Sequence, residues 1–280
     1  MAINTHISKW IEKSEPDFYT MFIKSWIPYN AWYMHNFYSE DDKRTSDKSI
    51  IRHIGTAPNL YKNRIISLLQ GNDNDSIVFK ELLWKLHCEL ECHPIPNYIE
   101  KISFAQICIE DNINQTVSLT YKKYTFKGEY DKNKPKITPR WKFEVIENKS
   151  LKTLYSIELF KCSLTELLTN ANYKTINSDE IKKGVENCLK EIDPNKKISI
   201  VADLRIIQGR RIKQPKNSIT IKDGKLYFRD NIEDVSKAII QILYELRCKL
   251  FHGEIEPTNA NLGIYEQAFY IQRMLIKELE

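Results

Sequence analysis

The residues best suited to chemistry in this chain are an arginine and a histidine near its C-terminus. Arg247 and His252 lie five positions apart, and Gly253 directly follows the histidine. Arginine keeps its positive charge at any physiological pH and can hold a phosphate, whereas histidine can exchange a proton near neutral pH. The pair therefore indicates chemistry on a phosphodiester.

The two residues lie at the end of a predicted amphipathic helix. Apolar side chains recur at steps of three and four residues, namely Val235, Ile239, Ile242, Leu246 and Leu250. This spacing is typical of one buried helix face. Asp230 or Asn231 can cap the start of the helix and Gly253 can end it.

Five helical residues separate two side chains by about 140° and about 7.5 Å. Arg247 and His252 of one chain therefore do not share a helix face. We expect a composite site in a homodimer, where two copies bring both residue types together.

Two segments resemble the signatures of one known family. Residues 246–253, Leu-Arg-Cys-Lys-Leu-Phe-His-Gly, resemble the helix end of the HEPN family (higher eukaryotes and prokaryotes nucleotide-binding domains). Residues 25–33, Ser-Trp-Ile-Pro-Tyr-Asn-Ala-Trp-Tyr, resemble the aromatic-Asn-x-x-Tyr segment in the first long helix of the bacterial defence and toxin branch. The resemblance implies a metal-independent endoribonuclease without a cofactor, in which Arg247 and His252 are catalytic.

Two positions depart from the family pattern. Active members usually carry Asn, Asp or His after the arginine, whereas this chain has Cys248, whose thiol is a weak hydrogen-bond donor. The alternative function is therefore a HEPN-like RNA-binding or scaffold protein with a weak or inactive site. Glu254 stands where nucleotidylated members carry a tyrosine, so that form of regulation is not expected.

Asn30 and Cys248 are the candidates for a supporting role. A buried amide needs hydrogen-bond partners, so Asn30 either orients Arg247 or His252 or satisfies the backbone near Pro28. Cys248 adjoins the arginine directly.

Several cations favour contact with RNA. The chain has 280 residues and a formal net charge of +5. The candidate RNA-binding residues are Arg205, Arg210, Arg211, Lys213 and Lys249. The first four predict a basic loop. Cations also alternate with aromatic residues over 121–127 and 140–142, which suits phosphates and stacked bases and equally describes a half-buried strand.

The pattern of the whole chain predicts a mainly α fold, a HEPN-like helical bundle with an inserted small antiparallel β-sheet region, and thus α+β overall. The predicted helices cover 17–38, with a kink or new segment at Pro28, then 46–69, 76–92, 163–192 and 264–279, besides the motif helix. The predicted strands cover 102–109, 116–126, 141–146 and 154–160, with a second hairpin over 218–228. We predict N-terminal bundle helices at 1–100, an inserted region at 101–230 and C-terminal helices at 231–280.

No signal peptide or long apolar run is recognisable, which predicts a cytoplasmic protein without a membrane partner. The six cysteines have no disulfide spacing, as is typical of a reducing compartment. The expected partners are RNA, a second copy of the chain and an antitoxin or defence-system protein. The cluster at 87–93 could hold zinc, but it offers too few ligands on one helix face, so no metal is predicted.

Overall fold

The computed structural model describes residue 7 and residues 16–97, 100–108, 116–131, 133–135, 137–193, 197–202, 205–207, 211–213 and 218–279. About half of the described residues are helical, and the remainder includes small antiparallel sheets. The predicted α+β class is therefore confirmed. The chain forms two compact units, one of residues 1–107 with 198–280 and one of residues 108–197. The second unit is shorter than the insert predicted at 101–230.

The helices of the first unit come from both ends of the chain. They are Phe18–Phe37 (α1), Asp47–Thr56 (α2), Leu60–Gln70 (α3), Asn74–Cys92 (α4), Ile232–Phe251 (α8) and Asn259–Ile276 (α9). Each begins after a side chain that accepts a hydrogen bond from the first turn, and these caps are Asp17, Ser46, Asn59, Asp73, Asn231 and Thr258. Such caps satisfy amide groups that have no partner within the helix.

Aromatic side chains build much of the core of the first unit. Tyr19 of α1 packs on Tyr265 of α9 with ring centroids 4.9 Å apart, and Tyr29 stacks on Tyr61 of α3 at 4.1 Å. Helix α1 continues through Pro28, so the new segment predicted there is not observed. A proline removes only one backbone hydrogen bond, and the buried aromatic face extends on both sides of it.

The strands of the first unit differ in part from the prediction. The hairpin of Ser218–Lys222 (β9) and Leu226–Arg229 (β10) is confirmed, and its turn uses positive φ at Asp223 and Gly224. The strand predicted over 102–109 is wrong except for Ile107–Cys108 (β1). The apolar residues of this segment are buried although it does not pair with a neighbouring strand before Ile107. Phe104, for example, packs on Phe228 with ring centroids 5.3 Å apart.

The second unit is a four-stranded antiparallel sheet covered by helices. Its strands Thr116–Tyr121 (β2), Tyr124–Tyr130 (β3), Trp141–Glu147 (β4) and Thr153–Leu159 (β5) lie in chain order. The strand predicted over 116–126 is in fact two, because the chain turns at Lys122-Lys123 and pairs Tyr121 with Tyr124.

The helices of the second unit pack on one face of this sheet. The single helix predicted over 163–192 is three, Leu164–Thr169 (α5), Ala171–Lys174 (α6) and Asp179–Ile192 (α7), with Asn170 and Ser178 capping the later two. Gly184 of α7 lies so close to the sheet that a Cβ would come within 2.2 Å of the Phe126 ring. The short strand Lys197–Ile198 (β6) ends this segment.

Candidate active site

The motif helix α8 forms as its sequence predicts. The Asn231 side chain accepts a hydrogen bond from the Asp234 amide, and the apolar stripe from Val235 to Leu246 is buried. At the other end, the amides of Gly253 and Glu254 donate to the carbonyls of Leu250 and Lys249 at 3.2 and 2.9 Å. These two bonds form a Schellman motif, which needs the positive φ of Gly253, 65°. The helix end that carries the motif is thus structurally defined.

Arg247 is held on several sides but retains uncommitted hydrogen-bond capacity. Its Nη2 lies 3.1 Å from Oδ2 of Asp47, and only 18% of its side chain is exposed. Its guanidinium carbon lies 4.3 Å from the centroid of the Phe251 ring, a favourable cation–π distance. Among the described residues, Nε has no hydrogen-bond partner. The arginine therefore has a fixed position, and its Nε is a buried donor that no described group satisfies.

The first helix supplies the surroundings of this ion pair. Asn30 Nδ2 donates a hydrogen bond to the hydroxyl of Tyr33, which is fully buried. Burial raises the pKa of Tyr33, the Asn30 hydrogen bond lowers it, and the nearby Asp47 carboxylate raises it again. Asn30 is thus linked to Arg247 through Tyr33 and Asp47. This arrangement places the predicted supporting residue in the site's second layer of contacts, with no direct bond to Arg247.

Cys248 contacts Arg247 weakly. Its Sγ lies 4.0 Å from Nη1 of Arg247, with the nitrogen as donor. Tyr244, one turn earlier on α8, has a pKa raised first by burial and then by Cys248 and Asp47. A tyrosine and a thiol therefore lie near the same carboxylate and guanidinium.

His252 occupies a different environment. It is the C-cap residue of α8, is exposed, and its backbone amide donates to the Cys248 carbonyl at 3.0 Å. Within the described part of the chain, its imidazole makes no hydrogen bond and is free to meet a ligand or another subunit. Of the predicted site residues, Asn30 and Cys248 therefore belong to the surroundings of Arg247 within one chain, whereas His252 does not contact them.

Asp47 and Tyr244 are site residues that sequence reasoning missed. Asp47 is the first residue of α2, where a carboxylate favours the positive end of the helix dipole, and this ordinary role conceals its contact with Arg247. Tyr244 lies three positions before Arg247, so helical spacing could have indicated it. Nothing in the sequence could have indicated Asp47, because it lies two hundred positions from its partner.

The structure describes the side chain of only one of the five candidate RNA-binding cations, Lys249. Instead of the predicted basic loop, the structure has the strands Arg205–Ile207 (β7) and Arg211–Lys213 (β8), which pair antiparallel. Arg210 and the side chains of these strands lie outside the described residues. Lys249 is paired with Glu254 in the turn that ends α8, so this lysine is already engaged by a carboxylate.

The zinc alternative finds no support in the described residues, where no group of three or more His, Cys, Asp or Glu side chains could hold a metal. Burial lowers the pKa of His87 and raises that of Cys88. The Nδ1 atom of His87 is buried without a hydrogen-bond partner among these residues, and its ring lies 6.2 Å from that of Phe104. His87 thus packs against the core.

Comparison with known proteins adds no assignment: no protein-family model, no curated protein and no solved structure matches this chain. None of the described helices combines the length and apolarity needed to cross a bilayer.

Proposed function

We propose that this protein is a metal-independent endoribonuclease of the HEPN type, acting in a toxin–antitoxin or antiviral defence system. Its helical first unit would be a HEPN-like bundle, and its partners would be RNA, a second copy of the chain and an antitoxin or defence-system protein. One observation carries the proposal. Arg247, with 18% of its side chain exposed, is held in place by Asp47, and the exposed His252 follows five residues later on the same helix end.

The reaction would use the hydroxyl that RNA itself provides. His252 would remove the proton of a ribose 2′-hydroxyl, which then attacks the adjacent phosphorus, and the bond to the 5′-oxygen breaks. His252 of the partner subunit or a water molecule would protonate that leaving oxygen. Arg247 would neutralise the charge that builds on the phosphoryl oxygens. The products are a 2′,3′-cyclic phosphate and a free 5′-hydroxyl, and DNA would not be cleaved.

The dimer is part of the proposal because one chain holds the two groups on different sides of its helix. Arg247 faces α1 and α2, whereas His252 belongs to the exposed helix end. Two such ends related by a two-fold axis would surround one phosphodiester with two arginines and two histidines.

A second candidate function is RNA binding without efficient cleavage. The observation that favours it is the ion pair itself, since Asp47 competes with a phosphate for Arg247 at 3.1 Å. Cys248 adds to this argument, because its weak hydrogen bond at 4.0 Å orients the guanidinium less firmly than an amide or carboxylate would.

The decisive experiment incubates labelled RNA in EDTA with the wild type and with Arg247→Ala and His252→Ala. Each substitution should lower the cleavage rate by about 100-fold or more, because the charge stabilisation or the proton transfer is lost. Arg64→Ala is the matched control for Arg247, since Arg64 is 20% exposed and pairs with Asp75 at 3.0 Å. His35→Ala removes an exposed histidine from another helix and controls for His252. Both controls should cleave like the wild type.

The outcomes separate the two candidates. Cleavage that disappears in both variants and yields cyclic phosphate ends supports the nuclease. RNA binding without cleavage by the wild type supports the second candidate. Cleavage that survives His252→Ala, or that needs a divalent metal, would refute the proposed mechanism.

A further inference from the structure

The net positive charge of the chain is concentrated in the second unit. Residues 108–197 contain 17 Lys and Arg against 13 Asp and Glu, so they carry +4 of the total of +5. The first unit, with more than twice as many residues, is nearly neutral. An excess of cations favours anionic partners, and in this chain that preference belongs to the sheet unit.

A cavity of about 450 Å³ lies between the β2–β3 hairpin and α7, wholly within this unit. Ligand pockets commonly enclose about 300 to 1,000 Å³. Leu119, Tyr121 and Phe126 provide its apolar walls. They share one face of the hairpin, because Leu119 pairs with Phe126 and Tyr121 with Tyr124 across the two strands. The cavity can therefore take a flat apolar group.

Tyr121 is the aromatic side chain of this cavity that is available for stacking. It is 55% exposed, whereas Phe126 is 1% exposed and belongs to the core. Lys122 Nζ lies 5.2 Å from the centroid of the Tyr121 ring. An exposed aromatic ring with a cation beside it is the usual surface for stacking an unpaired base, because every base has a flat π face.

Helix α7 supplies the polar groups of the cavity. Lys183 and Asn187 are exposed and lie one turn apart. Glu180 Oε1 is held by Lys122 Nζ at 3.1 Å. A lysine can bind a phosphate, while an amide and a carboxylate can pair with the edge of a base. Gly184, packed against Phe126, brings this helix close to the sheet.

The opposite face of the sheet does not compete for this role. Lys127 pairs with Glu129 at 3.2 Å and Lys142 with Glu144 at 2.7 Å, so carboxylates neutralise the cations there. On the face that α7 covers, Trp141 belongs to the same core cluster as Phe126, is 7% exposed and stacks on Tyr130, with centroids 4.2 Å apart. The Trp141 ring is thus packed within the protein, and Tyr121 remains as the exposed aromatic ring beside the cavity.

We propose that this cavity is a nucleotide-binding site, which stacks an unpaired base on Tyr121 and holds the adjoining phosphate with Lys183. The site shares no residue with the Arg247 and His252 motif, and its function does not require RNA cleavage. The nucleotide is either free or part of a single strand, and both present the same base and phosphate.

The test measures binding of a fluorescent 2′-O-methylated hexanucleotide to the full-length protein by anisotropy. This probe lacks the attacking hydroxyl, so binding is measured whether or not the protein is a nuclease. Tyr121→Ala and Lys183→Glu should each weaken binding at least fivefold. The matched controls are Lys190→Glu, the same charge change two turns along α7, and Phe160→Ala, which removes an aromatic side chain 54% exposed in the same unit. Each control should change binding less than twofold.

Competition then identifies the form of the ligand. Displacement by a nucleoside monophosphate, but not by ribose 5-phosphate, supports a site that recognises the base as well as the charge. Binding that depends on Tyr121 but resists mononucleotides supports a strand as the natural ligand. Equal displacement by ribose 5-phosphate, equal loss in Lys183→Glu and Lys190→Glu, or unchanged binding by Tyr121→Ala would each overturn the proposal.

Discussion

The contact between Arg247 and Asp47 is the feature on which the candidate active site depends at the scale of residues. The side chains are 18% and 31% exposed, so water screens them only partly. Pairs of this kind contribute more than exposed pairs, which typically stabilise a protein by about 0.2 to 1 kcal/mol. Tyr33 and Tyr244, whose pKa values are raised by burial, lie beside the pair together with Cys248. Asp47 is therefore expected to position the arginine.

A double-mutant cycle tests this pair. Asp47→Asn and Arg247→Met should show a coupling energy of about 1 kcal/mol in urea unfolding, because each charge loses its partner in the single variants. The cycle also subtracts the effect of Asp47 on the helix dipole. The same cycle on Arg64 and Asp75, in which the aspartate is 60% exposed, should give a smaller value. In the cleavage assay Asp47→Asn should lower the rate at least tenfold, since the guanidinium loses its orientation. A coupling near zero would show that Asp47 does not hold the arginine.

At the scale of elements, the end of α8 decides how the catalytic candidates are presented. His252 is the C-cap and Gly253 provides the left-handed residue after it. The ion pair of Lys249 with Glu254 spans the same turn. Tyr265 of α9 donates to the Leu246 carbonyl at 3.0 Å. The last turn of the helix is thus held from within and from a neighbouring helix.

Gly253→Ala should destabilise the protein by about 1 to 2 kcal/mol, measured by urea unfolding at constant pH. The cause is the backbone alone, since φ is 65° and a Cβ would meet nothing within 4 Å. Gly253→Asn should be milder, because asparagine tolerates this conformation better. If both variants are as stable as the wild type, the helix does not end in this conformation in solution.

At the scale of the whole molecule, the two units have distinct characters. The first is helical, nearly neutral and holds the candidate active site, and the second is a basic sheet unit with the candidate nucleotide cavity. The proposed function requires two copies of the first unit, because Arg247 and His252 do not meet within one chain.

A heterodimer of Arg247→Ala and His252→Ala subunits, purified with two different tags, should regain activity at least fivefold above either variant alone. One subunit then supplies the intact arginine and the other the intact histidine to a shared site. An inactive heterodimer, together with active wild-type monomers at high dilution, would contradict a composite site.

The sequence alone was sufficient for features that depend on near neighbours. The extent of α8 and its Gly253 end were predictable because periodicity and capping act within a few residues, whereas the choice of Asn231 over Asp230 as the cap came from the structure. The same holds for the hairpin at Asp223-Gly224. Where local patterns were ambiguous the prediction was wrong, as for the buried loop over 102–106, since a short apolar run suits a strand and a packed loop equally.

Only the tertiary structure decided which side chains surround Arg247 and what the basic segments do. Asp47 reaches the arginine because helices from the two ends of the chain pack together, and no local pattern encodes that contact. Likewise Tyr121 and Trp141 belong to similar runs of cations and aromatic residues, yet one is exposed beside a cavity and the other is buried. The physical reason is that both rings lie on the face covered by helices, but Trp141 belongs to the core cluster whereas Tyr121 is the last residue of β2, beside the hairpin turn. Their burial therefore depends on the packing of the whole unit.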